Sequence, residues 1–338
     1  MKKHVVAVVG ATGLVGSEII SILEQRAFPV SELRPIASDE SVGMTVNFKD
    51  KEIKVLPLRP DVFDNADIVL SSAGANVSKK FAPWAVERGC VVIDNTKAFR
   101  MDPKVPLVVP EVNPQEAFKH NGIIANPNCS TIQLVMVLNV IRKNWGLKRV
   151  VVSTYQSVSG KGKASIEELS KQTMALFNQV PFDILTFPHQ IAFNLIPKID
   201  KFDPENGYTR EEIKVVNESR KILDMPELRI TCTAVRVPVF SCHSESVNVE
   251  TERPFKLEDV RQTIQASPGM ELMDQPMEDE YPMPVTSADT DPVSVGRIRR
   301  DFSLENGLNL WVVADNIRKG AALNTVQIAE LLKDANKA

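Results

Sequence analysis

The run Val5-Val6-Ala7-Val8-Val9 is apolar throughout, with no polar alternation. Such a run must be buried on both faces, which points to a central strand of a parallel sheet covered by helices. Gly10-Ala11-Thr12-Gly13-Leu14-Val15-Gly16 follows at once, and Ile19, Ile20, Ile22 and Leu23 then recur with helical spacing. Strand, glycine turn and helix open a βαβ unit of the dinucleotide-binding kind. Gly10 and Gly13 would let the backbone approach a pyrophosphate at the helix N-terminus, and Gly16 would let the helix pack close to the strand. The spacing is GxxGxxG where the commoner fingerprint is GxGxxG, so a plain βα turn fits the motif as well.

The βα alternation continues. Residues 33–37 read as the second strand, with Asp39 and Glu40 just beyond its end. An acid there takes the ribose hydroxyls of NAD, although solvated loop carboxylates fit equally. Residues 46–48 and 53–55 read as edge strands or a hairpin. Residues 66–70 form another buried strand, ending in Ser71-Ser72-Ala73-Gly74-Ala75, whose small side chains leave room for a cofactor. A helix over 77–88, a strand over 90–94 and strands over 107–110 and 122–125 complete the pattern. Arg100, in the loop past residue 94, can carry charge into a cleft or lie on the surface.

Next comes Asn126-Pro127-Asn128-Cys129-Ser130-Thr131, a proline-broken turn leading into an apolar helix over 130–145. Asn128 can cap that helix. Its N-terminal dipole would favour a thiolate at Cys129. Most cysteines are inert, buried and small, so position alone does not make Cys129 a nucleophile. The other three, Cys90, Cys232 and Cys242, show no metal-ligand spacing with it, and no metal is expected. Reduced thiols and the lack of a secretory leader pattern at Met1-Lys2-Lys3-His4 fit a cytoplasmic protein. A net charge of -3 over 338 residues argues against a nucleic-acid surface, and no apolar run is long enough to span a membrane.

Beyond the helix the alternation changes. Residues 150–158 read as a long strand, ending in Ser159-Gly160-Lys161-Gly162-Lys163 before a helix over 164–178. Thr209 and Glu212 make a capping box, and Glu211 and Lys214 share a face of the helix it starts. Strands over 229–237 and 246–252 flank a bend with Arg236 and His243 at its two ends. Residues 273–292 read as an irregular loop, 308–316 as a strand and 321–332 as the closing helix.

Taken together, these motifs resemble the aspartate-semialdehyde dehydrogenase family over almost the whole chain. The matching segments include Gly10 to Gly16 in order, Asp94-Asn95-Thr96, Ala98-Phe99-Arg100 and Asn126-Pro127-Asn128-Cys129-Ser130-Thr131. Tyr155-Gln156, Ser159-Gly160, Arg236-Val237-Pro238, His243-Ser244-Glu245 and Arg318-Lys319-Gly320-Ala321-Ala322 continue the match. The resemblance implies an α/β fold: a Rossmann-type dinucleotide-binding domain over 1–127 and 320–338, and an α/β catalytic and dimerisation domain over 128–319. It implies Cys129 as nucleophile, His243 as acid/base and Gln156 as orienting group. Arg236 would hold the substrate carboxylate, Glu211 its amino group, and Arg100 and Lys214 the phosphate. Gly10, Thr12, Gly13, Leu14, Val15, Glu40, Ser41, Ser72, Gly74, Ser159, Gly160 and Asn316 would contact the cofactor.

The implied reaction is reductive dephosphorylation of aspartyl 4-phosphate to aspartate 4-semialdehyde, reversible and NADP(H)-dependent. It serves lysine, methionine, threonine and diaminopimelate synthesis. The implied partners are the small-molecule substrate, phosphate and a second copy, as homodimer or tetramer. Glu40 stands where NADP-using members carry Arg and would repel a 2′-phosphate, so NAD(H) use is expected too. Lys97, Lys161 and Lys163 also replace small residues, and the last two could supply a compensating phosphate contact. Reduction of N-acetylglutamyl phosphate and glyceraldehyde-phosphate chemistry share the Cys/His logic, but Glu211 offers a carboxylate to a free amine. A non-catalytic paralogue would have lost Cys129 or His243; both are present.

Overall fold

The computed structural model describes residues 3–333. Met1, Lys2 and residues 334–338, which the sequence reading assigns to the first domain, lie outside the described residues. The chain forms two compact units, Met1–Asn128 with Ala321–Ala338, and Cys129–Gly320. The first unit runs β1 (His4–Val9), α1 (Leu14–Gln25), β2 (Val30–Ala37), β3 (Thr45–Phe48), β4 (Lys51–Lys54), β5 (Leu56–Pro57), β6 (Ile68–Ser71), α2 (Ala75–Glu87), β7 (Val91–Asp94) and β8 (Ile123–Ala125). The second runs α3 (Cys129–Trp145), β9 (Arg149–Gln156), α4 (Lys163–Phe177), α5 (Arg210–Leu223), β10 (Arg229–Arg236) and β11 (His243–Glu250). It continues through α6 (Leu257–Gln265), β12 (Met270–Leu272), α7 (Pro284–Ser287), β13 (Val293–Asp301) and β14 (Gly307–Ala314); α8 (Leu323–Lys333) returns to the first unit.

In the first unit six parallel strands lie in the order β5-β2-β1-β6-β7-β8. This is the doubly wound order, in which the direction of winding reverses beside β1. Side chains of β1 alternate between two cores: Val6 and Val8 pack with α1 and α8, Ala7 and Val9 with Phe81, Ala82 and Ala85 of α2. Burial on both faces is why the run carries no polar residue. The hairpin expected near residue 50 is present as antiparallel β3–β4. Residues 107–110 form no strand; Leu107 makes an isolated bridge to Ala125, and Pro106 and Pro110 lack ladder donors.

Gly16 fixes how closely α1 meets the turn. A Cβ there would stand 2.0 Å from the Gly10 carbonyl oxygen. Gly16→Ala should therefore cost about 3 kcal/mol, the upper end of overpacking penalties, because the clash is with backbone. A urea titration should show the lowered midpoint with an unchanged slope.

The second unit holds a mixed sheet in the order β10-β9-β11-β14-β13-β12. Helix α3 is buried almost all round and packs on α5, α6, β11 and β14. The capping box is complete at the start of α5: Thr209 Oγ1 accepts from Glu212 N, and Glu212 Oε2 accepts from Thr209 N. The opposite face of the sheet is only half-buried, with Val151, Ser153, Tyr155, Ser246, Asn248, Asn309 and Trp311 in rows. Near the chemical residues two boundaries differ from the sequence reading, and one strand is new. The β9 strand ends at Gln156, where the chain turns into a 3-10 segment, Val158–Lys161. The β11 strand begins at His243, three residues early, so this histidine sits in the ladder. Strand β13 went unanticipated because a bulge between Gly296 and Arg299 breaks its alternation. Among the described residues no helix is long and apolar enough to cross a membrane.

Candidate active site

Register assembles the chemical residues of the second unit. Gln156 pairs with Arg236 on β10 and with His243 on β11. The three residues thus form one row across three strands, and residues in a row share a face of the sheet. Gln156, Arg236 and His243 are all buried. The Gln156 amide donates to Glu211 Oε1 at 3.3 Å and to Thr154 Oγ1 at 3.3 Å. Lys214 Nζ donates to Glu211 Oε2 at 2.8 Å and to Asp200 Oδ2 at 3.2 Å. Glu211 is buried, so this pair is more than a solvated surface bridge. Burial works against the Lys214 cation, but Glu211 and Asp200 outweigh it and raise its pKa.

Arg236 donates through Nη1 to the Ser157 carbonyl oxygen. Burial draws its pKa down, opposed by the Glu211 carboxylate and the Cys129 sulfur. Gly160 stands over the row: a Cβ there would meet His243 Cε1 at 3.1 Å, Nε2 at 3.2 Å and Arg236 Nη1 at 3.3 Å. Only a residue without a side chain leaves this face open. Lys161 is engaged by the Thr186 carbonyl oxygen and the Phe187 ring.

The imidazole has a defined orientation. The Ser157 backbone N–H donates to His243 Nδ1 at 3.1 Å, and the Ser157 hydroxyl oxygen stands 3.2 Å from the same nitrogen. A backbone N–H can only donate, so Nδ1 accepts and the proton of the neutral ring resides on Nε2. Nε2 is buried without a hydrogen-bond partner. Burial, helped by the Arg236 charge, pushes the His243 pKa down to about 3. The Ser157 and Ser159 hydroxyls both donate to Asn316 Oδ1 at 3.1 Å. Ser157 was not singled out from sequence; a serine at a strand exit carries no signal of what its backbone N–H will meet.

Cys129 begins α3 and is half-exposed, whereas Cys90, Cys232 and Cys242 are buried. Burial raises the pKa of all three buried thiols, Cys90 to about 11. Partial exposure sets Cys129 apart as the thiol that can meet a substrate.

In the first unit the glycine turn stands at the carboxyl ends of the central strands. Gly10 has φ +85°, the left-handed region, and a Cβ on it would meet Ser72 Oγ at 3.0 Å. Thr12 and Ser41 share a hydrogen bond of 3.2 Å, tying the turn after β1 to the turn after β2. Gly13 precedes Leu14 and Val15 at the start of α1, and Gly74 precedes α2. Glu40 is exposed in the 3-10 turn Asp39–Ser41. Arg100 is buried, donating to the backbone oxygens of Asn126 at 2.9 Å and Asn95 at 2.7 Å. These residues fit a dinucleotide: a turn with no room for side chains, at a helix N-terminus, between two strand ends.

The dinucleotide-type turn of the first unit and the imidazole, amide and guanidinium row of the second are each features of a dehydrogenase of the semialdehyde class. The sequence family described as semialdehyde dehydrogenase, NAD binding domain, matches residues 5–120, and that described as semialdehyde dehydrogenase, dimerisation domain, matches 138–319. The aspartate-semialdehyde dehydrogenase of Shewanella violacea is 52% identical over 330 residues, covering 97% of each chain. The crystal structure of aspartate semialdehyde dehydrogenase II from Vibrio cholerae, complexed with ASA, is 48% identical with a TM-score of 0.96 and 99% of each chain covered. The Candida albicans aspartate semialdehyde dehydrogenase, solved with NADP, is 26% identical with a TM-score of 0.77 and 99% of each chain covered. The chain belongs to the aspartate-semialdehyde dehydrogenase family.

Proposed function

We propose that the chain catalyses the reversible reductive dephosphorylation of aspartyl 4-phosphate to aspartate 4-semialdehyde, with Cys129 as the acyl-carrying nucleophile. The observation that carries this reading is the single row of Arg236, Gln156 and His243 across β10, β9 and β11. Arg236 presents a planar cation suited to the substrate carboxylate. Glu211, in the pair with Lys214, suits its free ammonium, and this disfavours an acetylated substrate. Lys214 and Arg100 are the cations assigned to phosphate.

The Cys129 thiolate attacks the acyl carbon. A sulfur–carbon bond forms, the bond from carbon to the phosphate oxygen breaks, and inorganic phosphate leaves a thioester. In the first unit Gly10, Thr12, Gly13, Leu14, Val15, Ser41, Ser72 and Gly74 would hold a nicotinamide dinucleotide, which would supply the two-electron reduction, and Ser159, Gly160 and Asn316 are the residues of the second unit assigned to contact it. The His243 Nε2–H donates to the substrate carbonyl oxygen as negative charge gathers there. When the aldehyde leaves, the carbon–sulfur bond breaks and the sulfur returns as thiolate. Gln156, anchored to Glu211, keeps the acyl group in register with the imidazole.

Glu40 supports use of NAD(H) beside NADP(H), since its carboxylate opposes a 2′-phosphate. Steady-state oxidation of aspartate semialdehyde with phosphate and each cofactor tests both statements. We expect a strictly phosphate-dependent rate and kcat/KM values for NADP and NAD within about tenfold, or roughly 1.4 kcal/mol. A rate indifferent to phosphate overturns the reaction, and a thousandfold NADP preference overturns the role of Glu40. The half-buried sheet face around Tyr155 and Trp311 supports assembly with a second copy, and the family supports an amino-acid biosynthetic role in the cytoplasm.

A further inference from the structure

One fully buried acid has no part in the chemistry above. Glu245 lies on β11 two residues after His243, so both point to the same face of the strand. Gln133 lies on α3 one helical turn after Cys129, so both lie on one face of the helix. Neither Glu245 nor Gln133 reaches solvent. Gln133 Nε2 donates to the His243 carbonyl oxygen at 3.2 Å. The Glu245 carboxyl lies against the Gln133 amide. Yet Gln133 Oε1 and both Glu245 oxygens have no hydrogen-bond partner. Three acceptor atoms buried without a donor would each carry a desolvation penalty. One added proton resolves all three. A neutral carboxylic acid donates to Gln133 Oε1 and accepts the second amide hydrogen, while the first stays on His243.

We propose that Glu245 is held as a neutral acid paired with the Gln133 amide, and that this pair is a positioning element fixing the first turn of α3, with Cys129, against His243 at the start of β11. The inference rests on the active-site reading of Cys129 and His243. Glu245 pairs in register with Thr154 on β9 and Val312 on β14. The titratable groups around it are His243 on its own strand, the buried Cys232 thiol of β10, and Glu211 and Glu212 of α5; burial, then Glu245 and these two carboxylates, raise the Cys232 pKa. Burial, eased slightly by Gln133, holds the Glu245 pKa well above its usual range.

Two substitutions separate the possibilities. Glu245→Gln keeps a donor and an acceptor facing Gln133; Glu245→Leu keeps the volume and removes both. We expect Glu245→Gln to lose less than threefold in kcat, and Glu245→Leu to lose thirtyfold or more with KM for aspartate semialdehyde changed less than threefold. Alkylation of Cys129 by iodoacetamide should slow in Glu245→Leu and not in Glu245→Gln. The parent at pH 7 should show the infrared carbonyl stretch of a protonated carboxyl, absent from Glu245→Gln, a reading that stands even if Glu245→Leu does not fold. Because the raised pKa costs the parent stability as pH climbs above the ordinary carboxyl range, Glu245→Gln should gain more in melting temperature at pH 8 than at pH 5. Parental rates in Glu245→Leu, equal losses in both variants, or no protonated-carboxyl band would each overturn the proposal. An inactive parent would instead overturn the active-site reading.

Discussion

Cys129→Ser should lower kcat by about a thousandfold or more in the phosphate-dependent oxidation of aspartate semialdehyde, and Cys129→Ala should abolish acyl transfer. A serine hydroxyl at neutral pH is almost wholly protonated, and no base in the described site is placed to take its proton: His243 Nδ1 is already engaged by Ser157. An oxygen ester is also a poorer acyl carrier toward reduction than a thioester. The substitution is nearly isosteric at the half-exposed start of α3, so folding should be little changed. The other thiols provide an internal control. Cys90, Cys232 and Cys242 are buried and held protonated. Iodoacetamide should therefore modify Cys129 first, inactivation should track that single modification, and substrate should protect. Near-parental turnover by Cys129→Ser, or inactivation through another cysteine, would remove Cys129 from the mechanism.

The chain's local code states its elements better than its register. The buried β1 run, the glycine turn, the capping box at Thr209 and the helix behind Cys129 are all set by neighbours within a few residues. Each was therefore readable as sequence, and the structure has each. The family too was legible, through many ordered short matches. What could not be read is where strands align. Gln156, Arg236 and His243 are separated by long stretches of chain, and only the β10-β9-β11 register puts them in one row. Pro238 and the polar residues after it have the composition of a loop, which puts His243 at the end of a bend. Backbone pairing to Gln156 and Ala314 instead extends the strand back to His243. The β13 strand was hidden for another reason: its bulge puts Arg297 at φ +52° and interrupts the period of two. Nothing local marks Glu245 or Gln133 either, because a buried acid and a buried amide become informative only when packing brings them together.

His243→Gln should reduce kcat by about a hundredfold to a thousandfold, the range for losing a positioned hydrogen-bond donor to developing negative charge. The parent's pH behaviour distinguishes how the imidazole works. Its pKa is held down to about 3, first by burial and then by the Arg236 charge. The free protein therefore carries a neutral ring throughout the range in which an ordinary imidazole titrates. A kcat/KM profile between pH 5 and 8 should show no acidic limb that His243→Gln abolishes. The same shift makes a stability statement. The unfolded imidazole protonates near its ordinary value of 6.5 and the folded one does not. The unfolded state thus binds more protons in the window between, and stability present above pH 6.5 is lost as pH falls toward 3. The full effect amounts to about 5 kcal/mol, and His243→Gln should remove it, leaving the variant more acid-resistant than the parent. Glu245 acts with the opposite sign at higher pH, so urea titrations of the two variants across pH 4 to 8 should diverge from the parent at opposite ends. An acidic limb near the ordinary imidazole value, lost in His243→Gln, would mean that the ring protonates before turnover and acts as a cation. That outcome would require the Ser157 N–H to release Nδ1, a geometry the β9 exit does not provide.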